Sequence, residues 1–176
     1  LMQQKAIGSK SGMDKKAMES QLELSRGAFS IVNKGTDASQ IMADLSDYLD
    51  KELKSKKYKK IYEGSTKEAF KSILMQQLGS DWMHLFLKLE PASYLSGIKC
   101  PLMAMGGSLD LQVPMNENLA AIEEALKNGT ASYTIKKLDG LNHLFQEAET
   151  GLPSEYGAIK QTFSPLAMKA MLDWMN

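Results

Sequence analysis

The chain has 176 residues, 43% of them hydrophobic and 24% charged, and its 21 basic side chains balance 21 acidic ones. That size and composition fit one ordinary folded domain able to bury a core, and zero net charge removes any global field favouring nucleic acid, anionic lipid or a strongly charged partner. A single cysteine, Cys100, excludes an intrachain disulfide and a multi-cysteine metal site, and no apolar run reaches the roughly 18 residues a membrane span requires.

The chain opens Leu1-Met2-Gln3-Gln4, with no initiator methionine at position 1 and no charged-then-apolar signal segment. The expectation is therefore that residues are missing upstream. The chain reads as soluble, with its compartment, cytoplasmic or periplasmic and secreted, left open.

Up to Pro91 the periodicity is helical. Ser11 with Asp14 has the form of a capping box opening a first helix, with Met18 and Leu22 on its apolar side. The run AFSIV (28–32) reads equally as strand or buried helix. Thr36 and Asp37 can cap a second helix, with Ile41, Leu45, Tyr48, Leu49 and Leu53 on one stripe, expected to stop near Gly64. Ser65 and Glu68 form another capping box ahead of Phe70, Ile73, Leu74 and Leu78, with Gly79 as C-cap. A short helix carrying Trp82, Leu85, Phe86 and Leu89 then runs up to Pro91.

After Pro91 strands alternate with helices. PLMAMGG (101–107) has the form of a fully buried parallel strand ended by two glycines. Pro114 begins a helix with Met115, Leu119, Ile122 and Leu126 on one side and Gly129 at its end. YTIKKL (133–138) reads as a second strand. Ser164 and Pro165 fit the N-cap and first position of a last helix, with Met168, Met171, Leu172 and Met175 expected to face the core. Strand, helix, strand, helix implies a right-handed unit with two parallel strands.

Parallel strands present their carboxyl ends on the same side, where open α/β sheets place their sites. Asp110 follows the first strand and His143 the second, so 33 residues of sequence collapse to one strand spacing. Aspartate there can accept the imidazole Nδ1–H, fix the tautomer and stabilise the imidazolium, leaving Nε2 as a base. This is two thirds of a catalytic triad, in the acid-then-histidine order that follows the serine of α/β-hydrolases.

The stretches IKCPLMAMGGSLDLQVPMNENLAAIEEAL, LDGLNHLFQEAETGLPSEYGAIKQTFSP and the terminal LDWM carry a resemblance to the C-terminal part of bacterial α/β-hydrolases of the serine esterase or acyl-hydrolase kind. The family's D-x-x-V-P turn is matched by Asp110 to Pro114, and its N-H-x-F loop by Asn142 to Phe145. DWMHLFLKLEPASYL (81–95) resembles the segment that enters the first of these strands. The resemblance is close over 81–176 and rests on position alone over 1–80. It implies a partial α/β-hydrolase fold, with a helical cap at 1–90 and a C-terminal βαβα part of the core at 91–176. It also implies a small ester or acyl substrate, Asp110 and His143 as catalytic residues, and no cofactor.

The chain departs from that family in having no G-x-S-x-G. Gly106-Gly107-Ser108-Leu109-Asp110 fails at its last position and precedes the acid. In the resembled family the nucleophile and oxyanion loop lie upstream of the cap, so the expectation is a fragment, inactive alone. Peptidases and thioesterases share this fold and triad and remain alternatives. A further alternative is a catalytically silent binding or assembly module, because two parallel strands alone leave an edge through which a second copy could pair.

Other residues take plainer readings. His84 is a packing or surface residue, Ser108 a turn serine, Cys100 a buried inert thiol. KELKSKKYKK (51–60) reads as a solvated helix end rather than a nucleic-acid patch. The 12 methionines read as core filling, some of them able to line a soft acyl pocket. Two histidines so far apart make no metal-ligand set.

Overall fold

A computed structural model describes residues 1–176. The protein is mixed α/β and mostly helical, with one two-stranded parallel sheet. No helix is long and apolar enough to cross a membrane. The chain forms two compact units: Leu1 with Met13–Leu89, and Met2–Gly12 with Glu90–Asn176.

The first unit is helical. α2 (Lys15–Lys34) starts where Asp14 accepts the Ala17 N–H at 3.0 Å, an N-cap that satisfies one of the first-turn amides. Ser11 does not share in this cap; its hydroxyl donates to Gly8 O, at the end of the preceding helix. AFSIV lies inside α2, where Leu24, Ala28 and Val32, spaced by four, are all buried. Tertiary burial there overrides the strand preference of Ile31 and Val32. α3 (Ala38–Glu52) is capped by Asp37 and buries Ile41, Leu45 and Leu49 at the same spacing.

α3 ends at Glu52 rather than near Gly64, and a 3-10 segment follows over Lys56–Tyr62. It inserts Tyr58 into the core, 1% exposed, with its hydroxyl on the Glu52 carboxylate at 3.0 Å. Burial, and then the Glu52 hydrogen bond, push the Tyr58 pKa above its ordinary value. Lys57 pairs with Glu23, and Lys60 with Asp14 at 3.6 Å, so these members of the basic run fold back onto α2 and its cap.

α4 (Lys67–Leu78) is capped by Thr66, not by Ser65 as expected, and Gly79 closes it by donating to Met75 O. α5 (Asp81–Lys88) packs Met83 and Leu87 against the core. Trp82, Leu85 and Phe86 are exposed, the two aromatic rings stacked at 4.9 Å.

The second unit holds α1 (Met2–Lys10), α6 (Pro91–Ser96), β1 (Leu102–Gly107), α7 (Met115–Lys127), β2 (Tyr133–Leu138), a 3-10 segment (Pro153–Ala158) and α8 (Pro165–Met175). β1 and β2 pair in parallel from Leu102 opposite Tyr133 to Gly107 opposite Leu138. α7 packs on both strands and buries Leu119, Ala125 and Leu126. α8 packs on β2 through Ala167, which is fully buried beside Leu138 and Leu141. The face expected to be buried is the wrong one: Met168, Leu172 and Met175 are exposed. Ser164 and Pro165 open α8 as expected, with the Ser164 hydroxyl accepting the Leu166 N–H.

Candidate active site

β1 ends in Gly106-Gly107, and the chain turns at once: Asp110 N–H donates to Gly107 O at 3.1 Å. Gly107 has to be glycine, because a Cβ there would run into the Leu141 carbonyl of the turn leaving β2. Beyond the turn, Asp110 Oδ1 accepts the N–H groups of Gln112 and Val113 at 2.9 and 2.8 Å. The chain continues through Pro114 into α7. This Asx-turn uses one carboxylate oxygen and fixes the side chain's rotamer.

The other oxygen, Oδ2, lies 3.0 Å from His143 Nδ1. The Asp110 side chain is 11% exposed and that of His143 37%, so the acid is sheltered and the ring reaches solvent. With Asp110 ionised, Nδ1 is the donor. Nε2 then makes no hydrogen bond within the chain and is available as an acceptor.

His143 is held by the loop around it. Asn142 is fully buried; its Oδ1 accepts the N–H groups of Leu144 and Gln146, and its Nδ2 donates to Gln146 Oε1. Asn142 N–H donates to Gln146 O, and Phe145 N–H to Asn142 O. The loop is thereby closed on itself. Phe145 takes a left-handed backbone, φ 55°, a conformation costly for a bulky residue and kept only where the surroundings enforce it. Here its carbonyl accepts the Ser164 N–H at 2.7 Å and its ring lies 5.5 Å from that of Phe163.

A third loop closes on the first. Gly151 (φ 77°) approaches the Leu109 carbonyl too closely for a side chain. Glu155 accepts the N–H groups of Thr150 and Gly151. Burial pulls the Glu155 pKa up, but these hydrogen bonds outweigh it and leave the carboxyl below its ordinary value. Gln112 Nε2 reaches the Tyr156 hydroxyl at 3.2 Å, tying the acid's turn to this loop.

The structure thus brings Asp110 and His143 together. Ser108 sits in the turn after β1, as read, with its hydroxyl on Asp139. His84 lies half-buried on α5, its Nε2 without a partner. Cys100 is exposed, not buried, because it precedes β1 and lies outside the paired segment. No group of three or more His, Cys, Asp or Glu side chains is placed to hold a metal ion. An open cavity of about 390 Å³, lined by Asp50, Lys67, Lys71 and Met75, lies within the helical unit and contains neither Asp110 nor His143. Gln146 and Glu155 escaped the sequence reading, and Asn142 entered it only as part of the N-H-x-F match, not as the residue that closes the loop. The signal for Asn142 and Gln146 is an amide pair four apart in an apolar stretch, a spacing that lets one close a loop on the other.

Compared with family models, with curated proteins and with solved structures, the chain finds no match in any of the three.

Proposed function

We propose that this chain carries the acid and histidine of a serine hydrolase of the α/β-hydrolase kind, acting on carboxylic esters or related acyl substrates. The strand-helix-strand-helix part corresponds to the C-terminal part of that fold, and the helical part to its cap. A serine outside the 176 residues supplies the nucleophile. His143 Nε2 takes the serine proton as the acyl carbon is attacked, then returns it to the departing alcohol. Asp110 holds the ring in the Nδ1–H tautomer and stabilises the imidazolium.

One observation carries this reading: the Asp110 Oδ2 to His143 Nδ1 contact of 3.0 Å, made between turns that leave adjacent parallel strands. The test uses the protein translated from the full reading frame containing these residues. A fluorophosphonate probe is expected to label a serine outside them, and His143→Ala to cut ester turnover by several orders of magnitude. Absence of labelling, or turnover retained in His143→Ala, overturns the assignment.

A second reading, an assembly module without catalysis, is favoured by a different observation. Each strand of the sheet has one unpaired edge, and Leu166, Met168, Leu172 and Met175 of α8 are exposed. Such surfaces drive association. Under this reading sedimentation equilibrium finds a dimer at micromolar concentration, and the fluorophosphonate labels nothing.

A further inference from the structure

We infer that Ser108 is a positioning residue for the Asp110–His143 pair, acting as a clasp between the two turns that carry them. The inference rests on the acid–histidine reading above. Ser108 is the first residue after β1, two before Asp110, and it belongs to the turn that the acid leaves. Its hydroxyl donates to Asp139 Oδ1 at 2.7 Å and accepts the Gly140 N–H at 2.8 Å. Both partners lie in the turn leaving β2, ahead of His143. A hydroxyl is the smallest side chain that can donate and accept at once, and here both capacities are spent across the strand exits rather than within its own turn.

The clasp extends the sheet past its last paired residues. Ser108 N–H donates to Leu138 O, and Leu109 N–H to Leu141 O, each at 2.9 Å. These main-chain bonds set how closely the two turns approach. The Ala148 N–H holds the Gly140 carbonyl at 3.0 Å, but the Asp139 carboxylate and the Gly140 N–H of this corner are held by Ser108. Gly140 has a left-handed backbone, φ 73°, and glycine there adopts either hand at little cost. The Ser108 hydroxyl fixes that corner from both sides. From it the chain runs through fully buried Leu141 and Asn142 to His143. A change in the corner is therefore passed along a rigid segment to the imidazole, while Asp110 stays tied to its own turn by the Gln112 and Val113 N–H groups.

A serine holding only its local turn would leave the imidazole unaffected when removed. The experiment is NMR on the 176-residue chain, with ¹⁵N-labelled histidine and without substrate. It follows the Nδ1–H resonance of His143, its exchange with water, and the ring tautomer. In Ser108→Ala the β1–β2 ladder amides are expected to keep their protection, while Nδ1–H exchange rises roughly tenfold, the scale of losing two modest hydrogen bonds. Ser108→Thr, which keeps the hydroxyl, restores the unaltered rate. Should Ser108→Ala lose the ladder, Asp139→Ala, which removes only the acceptor, is read in the same way and is expected to raise exchange with the ladder intact. Unchanged Nδ1–H exchange in a folded variant overturns the inference, as does absence of the Nδ1–H tautomer in the unaltered chain. Because no turnover is measured, failure here is distinct from failure of the hydrolase reading, which the fluorophosphonate and His143→Ala experiments decide.

Discussion

Asp110 Oδ2 stands 3.0 Å from His143 Nδ1 while Asp110 Oδ1 holds the N–H groups of Gln112 and Val113. One carboxylate thus fixes its own turn and the partner ring together. The two side chains are unequal in consequence. Asp110→Ala strands two backbone donors in a partly buried turn and is expected to destabilise the fold by about 1–3 kcal/mol. His143→Ala removes a ring that is 37% exposed and opens Oδ2 to water, so it is expected to cost less, about 0.5–1.5 kcal/mol for the one hydrogen bond lost. Urea denaturation of both variants checks this; equal losses would mean that the acid's turn does not depend on its side chain.

Asn142 makes a sharper case, because it is fully buried and uses both ends of its amide. Asn142→Ala removes the acceptor for Leu144 and Gln146 and is expected to cost about 2–4 kcal/mol, one to two unsatisfied buried groups. Asn142→Asp keeps that acceptor but sets a carboxylate against Gln146 Oε1. It is therefore expected to be less stable at neutral pH than under conditions that protonate the introduced acid, with thermal melts at two pH values as the measurement.

How far this site was legible follows from what fixes it. The pairing of Asp110 with His143 was readable because strand order and direction convert sequence position into space, and both strands have clear bounding glycines. The cap residues Asp37, Ser164 and Gly79 were readable for a local reason, since each borders a run of helical periodicity with the residue type that a helix end requires. Ser65 in place of Thr66, and the misplaced end of α3, show the limit. Neighbouring hydroxyls compete for one cap, and only the register of the following helix decides between them. The buried face of α8 differs from the expected one because apolar spacing marks a stripe without saying what lies opposite it. Ala167 is buried where Met168 and Leu172 are not. The Asn142–Gln146 closure depends on loop geometry, and no periodicity reports that.

Gly107, the last residue of β1, packs directly against the backbone leaving β2. A Cβ there collides with the Leu141 carbonyl, a backbone atom that cannot rotate away. Gly107→Ala is expected to cost about 1–3 kcal/mol, the usual penalty for overpacking, and to shift the amide resonances of 138–143 more than those of α7. Gly157→Ala, with open space around it, serves as the control and should leave both unchanged.

Glu155 gives a pH dependence whose sign follows from its hydrogen bonds. Its folded pKa lies below the ordinary value of 4.5, since the amides of Thr150 and Gly151 favour the charged form over the opposing effect of burial. A depressed carboxylate contributes stability that is fully present above its unfolded pKa and is lost as pH falls through the folded one. Hydrogen exchange at Thr150 and Gly151 is thus expected to be protected at pH 6 and to lose that protection at acid pH, beyond the intrinsic change in exchange chemistry. Glu155→Gln keeps an acceptor without a titrating charge and should flatten the dependence. Equal pH profiles for the two proteins would remove Glu155 from this role.

The helical unit separates buried from exposed apolar residues sharply enough to test. Leu45 is fully buried among Val32, Ile41 and Leu49, whereas Trp82 is 64% exposed and touches its helical neighbour Phe86. Leu45→Ala removes three heavy atoms from a close-packed site and is expected to cost about 2–5 kcal/mol, the range set by how far the cavity can collapse. Trp82→Ser forfeits an exposed aromatic contact of about 0.5 kcal/mol or less and should leave the denaturation midpoint nearly unchanged. If Trp82→Ser instead costs as much as Leu45→Ala, the outer face of α5 is covered in solution. Repeating the measurement over a range of protein concentrations then separates cover by a second copy, where the cost of Trp82→Ser varies with concentration, from cover within the chain, where it does not.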